Sequence, residues 1–210
     1  MRPVMREGST QARTSLRDWA EPHTIAVGAI EGLDGEITVV DGGVWVSRVR
    51  DGGIATSGPA VAAEDQATLL TAMRVARWRS VRLDEGATGP ELEDLIERAA
   101  KKQGIDTARP FPFVIEGRAA ALDMHVINGL CPHSGAEAAA DREPWRLTLS
   151  EATPATIVGF FARHSEGVLT HHGTPIHAHA LLARDGKRTT GHIDSIAIEA
   201  GATLRVPEPH

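Results

Sequence analysis

Three histidines stand where they could share one metal ion: His177 and His179 in Pro175-Ile-His-Ala-His-Ala180, and His192 in Gly191-His-Ile-Asp194. Alternate residues of a strand face the same side, about 6–7 Å apart along it. His177 and His179 therefore project together. The Asp185-Gly186 turn within Arg184–Gly191 returns the chain, and His192 opens the partner strand facing the pair. Three neutral imidazoles converging on one point suit zinc, and also nickel, copper or iron(II). Three protein ligands leave a position open, as in catalytic zinc sites. Six of the ten histidines fall between His164 and His192. Adjacent His171 and His172 face opposite sides of any strand, so at most one approaches the same point. His164 and Glu166 read as surface residues at a turn, and His23 and His210 as uninvolved.

The elements that must position these residues are mostly strands. Thr24–Ile30, Glu36–Val40 and Val44–Val49 are short β-branched runs, and Asp41-Gly42-Gly43 makes a hairpin of Glu36–Val49. Asp51-Gly52-Gly53 is a second turn, and 56–66 reads as a loop. Two helices are expected. Ala67–Arg77 carries Leu69, Leu70, Met73 and Ala76 at helical spacing. Pro90–Gln103 has an apolar face of Leu92, Leu95, Ile96, Ala99 and Ala100, a Thr88/Glu91 capping box and terminal Lys101, Lys102 and Gly104. Further strands are expected at 111–116, 119–127, 145–149, 156–161, 176–183, 192–198 and 202–206, with a turn at Gly117. The fold class is α+β, mainly antiparallel β, as a two-layer β-sheet domain with one or two helices. Residues 1–20 read as a flexible arm before a single domain over 21–210.

Composition narrows the partners. At 210 residues the chain can bury a sizeable core. A formal charge of −6 with no basic stripe argues against nucleic acid. No apolar run approaches the length of a membrane span, and Met1 to Trp19 has no apolar leader region. The single cysteine, Cys131, precludes an internal disulfide and suits a reducing, cytoplasmic setting; it reads as a small packing residue rather than a ligand. The chain has no tyrosine, so no phenol can act as acid or base.

Two blocks of this sequence resemble the α-acetolactate decarboxylase family. Gly28-Ala-Ile-Glu-Gly-Leu-Asp-Gly-Glu-Ile-Thr-Val-Val-Asp-Gly42 is similar to the family's opening G-L-D-G-E hairpin. Thr156-Ile-Val-Gly-Phe160, His177-Ala-His179 and Gly191-His192 are similar to its V-G-F…H-x-H…G-G-H order. Phe113-Val-Ile-Glu-Gly117 is a weaker match to its I-D-G strand. The resemblance spans most of residues 24–206 and implies a two-layer β fold, a homodimer and a zinc ion on His177, His179 and His192. It implies decarboxylation of a 2-hydroxy-3-oxo acid such as 2-acetolactate, giving acetoin through a metal-stabilised enediolate. Carried over by position, Glu36 stands at the active site, as an acid that protonates the enediolate. A second family glutamate corresponds to Glu199 or Glu208. Asp34 reads as a turn former.

One position departs from the pattern. The family's arginine, eight residues after the I-D-G glycine, is His125 here, in Leu122-Asp-Met-His-Val126. A permanently charged carboxylate clamp gives way to an imidazole that titrates near neutrality. His125 is either a substituted catalytic group or the mark of a changed substrate. Arg118 is an alternative anion contact, but strand parity turns it away from His125. A related isomerase, cyclase or hydrolase acting on another oxo acid, and a non-catalytic metal-binding module, are the competing readings.

Overall fold

The structure is a computed structural model, and it describes residues 9–130, 142–165, 168–170, 173–184 and 186–209. Cys131, Glu166, His171, His172, Asp185 and His210 lie outside the described residues. The fold is α+β and mainly antiparallel, in two sheets.

The first sheet is built from β1 (Thr14–Ser15), β2 (Thr24–Ile30), β3 (Glu36–Val40), β4 (Gly43–Arg50), β5 (Gly53–Ser57) and β6 (Gln66–Arg74), in the order β1-β6-β2-β3-β4-β5. The hairpins expected from Asp-Gly form as read. Asp41 and Gly42 (φ 52° and 81°), and Asp51 and Gly52 (φ 51° and 73°), take the left-handed conformations of tight hairpin turns. Strand alternation then gives the sheet two faces. Ile37 and Val39 point to one side, where they pack with Leu16, Val44 and Val46. Ile25 and Val27 point to the other, against Val114, Val158 and Phe160 of the second sheet.

The second sheet holds β7 (Trp78–Arg82), β8 (Ala87–Thr88), β9 (Phe111–Val126), β10 (Trp145–Leu149), β11 (Thr153–Phe161), β12 (Ile176–Arg184), β13 (Lys187–Ile198) and β14 (Thr203–Pro207). β9 pairs with β11 through its first half and with β13 through its second, and β12 joins β11 to β13. Those four strands therefore close a small barrel. Its interior is filled by Phe113, Ile115, Met124, Ile157, Ala180 and Leu182. The helix α1 (Gly89–Lys102) lays Leu92, Ile96 and Ala100 on the same core. Its start is fixed by the expected capping box: the Glu91 carboxylate accepts from the Thr88 N–H at 3.2 Å and from the Thr88 hydroxyl at 2.9 Å.

Four expectations are corrected. Ala67–Arg77 is not a second helix: Gln66–Arg74 is a strand, because β1 and β2 bond to its two edges. That tertiary pairing overrides an apolar spacing that suits a helix equally well. Gly117 is not a turn. It lies inside the 16-residue β9, where a Cβ would come within 2.5 Å of the Ala202 side chain. The glycine lets β14 cross at close range while the strand runs on. Residues 9–20 are no loose arm either, since Thr14–Ser15 pairs with β6 and the Leu16 side chain is fully buried. The stretch 56–66 starts as strand, with Thr56 paired to Ser47. No helix among the described residues is long and apolar enough to cross a membrane.

Candidate metal centre and active site

The site lies between the two sheets, on the barrel wall. His177 and His179 leave β12 on the face opposite Ile176 and Ala178, which enter the barrel core. His192 is the direct cross-strand partner of His179, and His125 the direct partner of His192. On the far side of β9, Arg146 of β10 is the partner of His125. Arg146, His125, His192 and His179 thus form one row across four strands, with His177 two positions along β12. Directly opposed strand residues lie close enough for such side chains to touch.

Gly191 makes the row possible. A Cβ there would meet the Met124 side chain at 2.5 Å and the His125 carbonyl oxygen at 2.6 Å. Only glycine lets β13 close on β9 just before His192, so barrel closure and histidine placement share one residue.

The three imidazoles are buried, and their candidate ligand nitrogens all lie within 4.8 Å of one another. The ring centroids are 5.4 Å (His177–His179), 5.1 Å (His177–His192) and 5.6 Å (His179–His192) apart. Three neutral nitrogen donors at this spacing fit a first-row divalent ion, whose metal–nitrogen bonds run about 2.0–2.1 Å. The histidines could therefore hold a metal, and their donor set leaves its identity open.

The first sheet supplies the rest. Glu36 and Thr38 share the face of β3 turned to the barrel, and both are buried. Thr38 Oγ1 lies 3.2 Å from His179 Nδ1 and 2.5 Å from Thr190 Oγ1. The Thr190 N–H donates to Ser47 Oγ at 2.9 Å, and Ser47 Oγ is 2.8 Å from Thr56 Oγ1. With Nδ1 donating to Thr38, Nε2 would be the nitrogen of His179 that could hold an ion. Glu36 Oε2 stands 3.5 Å from that Nε2. Burial pushes the Glu36 carboxyl up to about 8; an Ile127 backbone hydrogen bond opposes the shift and the Asp194 charge adds to it. A cation on the histidines would pull it back down.

His125 is buried, 5.0 Å from the His192 ring by centroids. Its Nδ1 is 2.8 Å from Asp194 Oδ1. The other oxygen of Asp194 accepts from Arg146 at 3.3 Å.

The structure thus brings His177, His179, His192, Glu36 and His125 into one cluster. The remaining candidates stand elsewhere: Arg118 pairs with Glu199 at 3.2 Å, Glu208 with Arg77 at 2.8 Å, and Asp34 with Arg50 at 2.6 Å. Thr38, Thr190, Ser47, Asp194 and Arg146 are site residues that reading the sequence missed. A signal existed only for Asp194, which follows His192 by two positions in a strand.

The sequence matches no family model and no curated protein. Solved structures are similar in fold. Acetolactate decarboxylase from Bacillus subtilis subspecies spizizenii aligns over 99% of this chain and 83% of its own, with a TM-score of 0.69 and 15% identity. α-Acetolactate decarboxylase from Bacillus subtilis strain 168 aligns over 98% and 82%, at 0.68 and 15%. A Staphylococcus aureus protein of unknown function, described as similar to α-acetolactate decarboxylase, aligns over 96% and 80%, at 0.64 and 10%. The chain is a distant structural relative of the acetolactate decarboxylases, sharing their fold along almost its whole length.

Proposed function

We propose that this chain is a metal-dependent carboxy-lyase acting on a 2-hydroxy-3-oxo acid, with 2-acetolactate as the representative substrate and acetoin as product. The observation that carries the reading is the buried three-histidine cluster with the Glu36 carboxyl 3.5 Å from His179 Nε2, in a fold that acetolactate decarboxylases share. His177, His179 and His192 hold the ion, for which zinc is the first candidate. When bound, the divalent ion supplies Lewis-acid polarisation of the substrate's ketone oxygen.

Loss of carbon dioxide leaves the carboxylate's bonding pair on the adjacent carbon, delocalised as an enediolate. One proton must then be delivered to one face of that carbon. Glu36 is placed to hold and give that proton: its carboxyl is buried and stands 3.5 Å from His179 Nε2, at the edge of the histidine cluster. His125 presents an imidazole beside His192, within the same cluster, as a contact for the departing carboxylate or the substrate hydroxyl. The packing of Val27, Val158 and Phe160 between the sheets keeps that side of the cluster dry. We further propose a cytoplasmic homodimer.

The test is incubation of fully metallated protein with racemic 2-acetolactate, following acetoin and carbon dioxide. Production of both above a metal-free control is expected. Full metallation with neither product contradicts the decarboxylase.

A second reading is favoured by His125, an imidazole where the family pattern carries a fixed positive charge. It keeps the metal and the enediolate but makes the chain an isomerase, cyclase or hydrolase of another oxo acid. Exchange of a hydroxy ketone's α-hydrogen with D2O, without acetoin from acetolactate, selects that reading.

A further inference from the structure

We infer that Asp194 is a positioning residue: its carboxylate fixes His125 with the proton on Nδ1, and Arg146 holds the carboxylate in place. The inference deepens the proposed function and rests on it for the activity readout.

The geometry begins with a bulge. Ile193 pairs with Met124 and Ser195 with Asp123, so Asp194 is an extra residue in β13 with no partner of its own across β9. A bulge re-aims the side chain it carries. Here it delivers Asp194 Oδ1 to His125 Nδ1 at 2.8 Å. The bulge is pinned from both sides. Ser195 donates to Asp123 Oδ2 at 2.6 Å, and Thr148 donates to Asp123 Oδ1 at 2.7 Å. Arg146, the cross-strand neighbour of His125, donates to Asp194 Oδ2 at 3.3 Å.

An exposed arginine–aspartate pair alone contributes little. The bond to His125 differs, because that side chain is only 3% exposed. A carboxylate accepts only from a protonated nitrogen, so Nδ1 must carry the hydrogen. The ring's second nitrogen, Nε2, then lies on the remaining edge of a ring held in one orientation.

The experiment uses the zinc-loaded full chain with 15N-labelled histidine, and a His125→Gln variant to assign the His125 signals. Two-bond 1H–15N spectra separate the two tautomers. The wild-type protein is expected to show His125 with Nδ1 protonated. Asp194→Ala should lose that state, and Asp194→Asn, whose amide oxygen still accepts, should keep it. In acetoin formation, Asp194→Ala should lower kcat roughly 10- to 100-fold with KM within a few-fold and zinc content unchanged, and Asp194→Asn should recover most of the loss. A wild-type His125 protonated on Nε2 alone overturns the inference, as does an unchanged tautomer in Asp194→Ala. The spectra decide this even if no acetolactate is turned over, which would count against the proposed reaction and not against the pairing. A variant that fails to fold leaves the wild-type spectrum decisive.

Discussion

Thr38 Oγ1 lies 3.2 Å from His179 Nδ1, a bond between residues 141 positions apart that ties the first sheet to the barrel. With Nδ1 as the donor, that contact would leave Nε2, the nitrogen beside Glu36, to hold an ion. Thr38→Val should therefore weaken zinc binding roughly 10- to 100-fold, the usual range for losing such a partner, while Thr38→Ser should not. Competition titration against a chromogenic chelator measures both. Equal affinity in Thr38→Val and the parent would show that His179 needs no such support.

Glu36→Gln keeps the size of the side chain and removes its acid. Acetoin formation should fall by about 10²–10⁴-fold, the range for a positioned proton donor, with zinc content unchanged. Activity within a few-fold of the parent would reassign the proton donor.

Leu16 tests whether residues before Thr24 belong to the folded unit. Its side chain is fully buried with Ile37, Val39 and Val44. Leu16→Ala should cost about 2–5 kcal/mol in urea unfolding. A loosely attached arm would give no measurable change.

Glu97 holds α1 to the chain that follows β11. Its carboxylate accepts from Arg163 Nε at 3.0 Å, Lys101 at 3.0 Å and Thr107 at 3.2 Å. The Arg163 guanidinium, above all, holds the carboxyl down at about 2, from an ordinary 4.5. A carboxyl held low when folded stabilises above its unfolded value and ceases to do so as pH falls through the folded one. The stabilisation is thus complete above about pH 5 and lost between roughly pH 4.5 and 2. Glu97→Gln should lower stability at pH 7 and flatten the acid limb of a stability–pH curve over that window. A parallel limb in the variant would place the acid sensitivity elsewhere.

What the sequence reveals of this protein is what lies close along the chain. The Asp-Gly turns, the apolar face and capping box of α1, and the pair His177/His179 depend on spacings of a few residues. Gln66–Arg74 misleads because Leu69, Leu70 and Met73 satisfy a helical period, and only bonding to β1 and β2 decides for strand. Gly117 misleads because nothing local announces that Ala202 will press against it. The site divides in the same way. His192 follows from a tight return of the strand, whereas Glu36 came only through a resemblance. Thr38, Thr190 and Ser47 meet through contacts between strands of different sheets. Arg146 reaches the site only because β10 pairs with β9, and Asp194, two positions after His192, meets His125 across the bulge of β13.

The claim on which the rest depends is that His177, His179 and His192 hold one divalent ion. Element-resolved metal analysis of the purified chain, beside a His177→Ala/His179→Ala double variant of equal foldedness, tests it directly. The expected result is one bound divalent metal per chain in the parent and essentially none in the variant. Equal metal content in the two proteins would contradict the site.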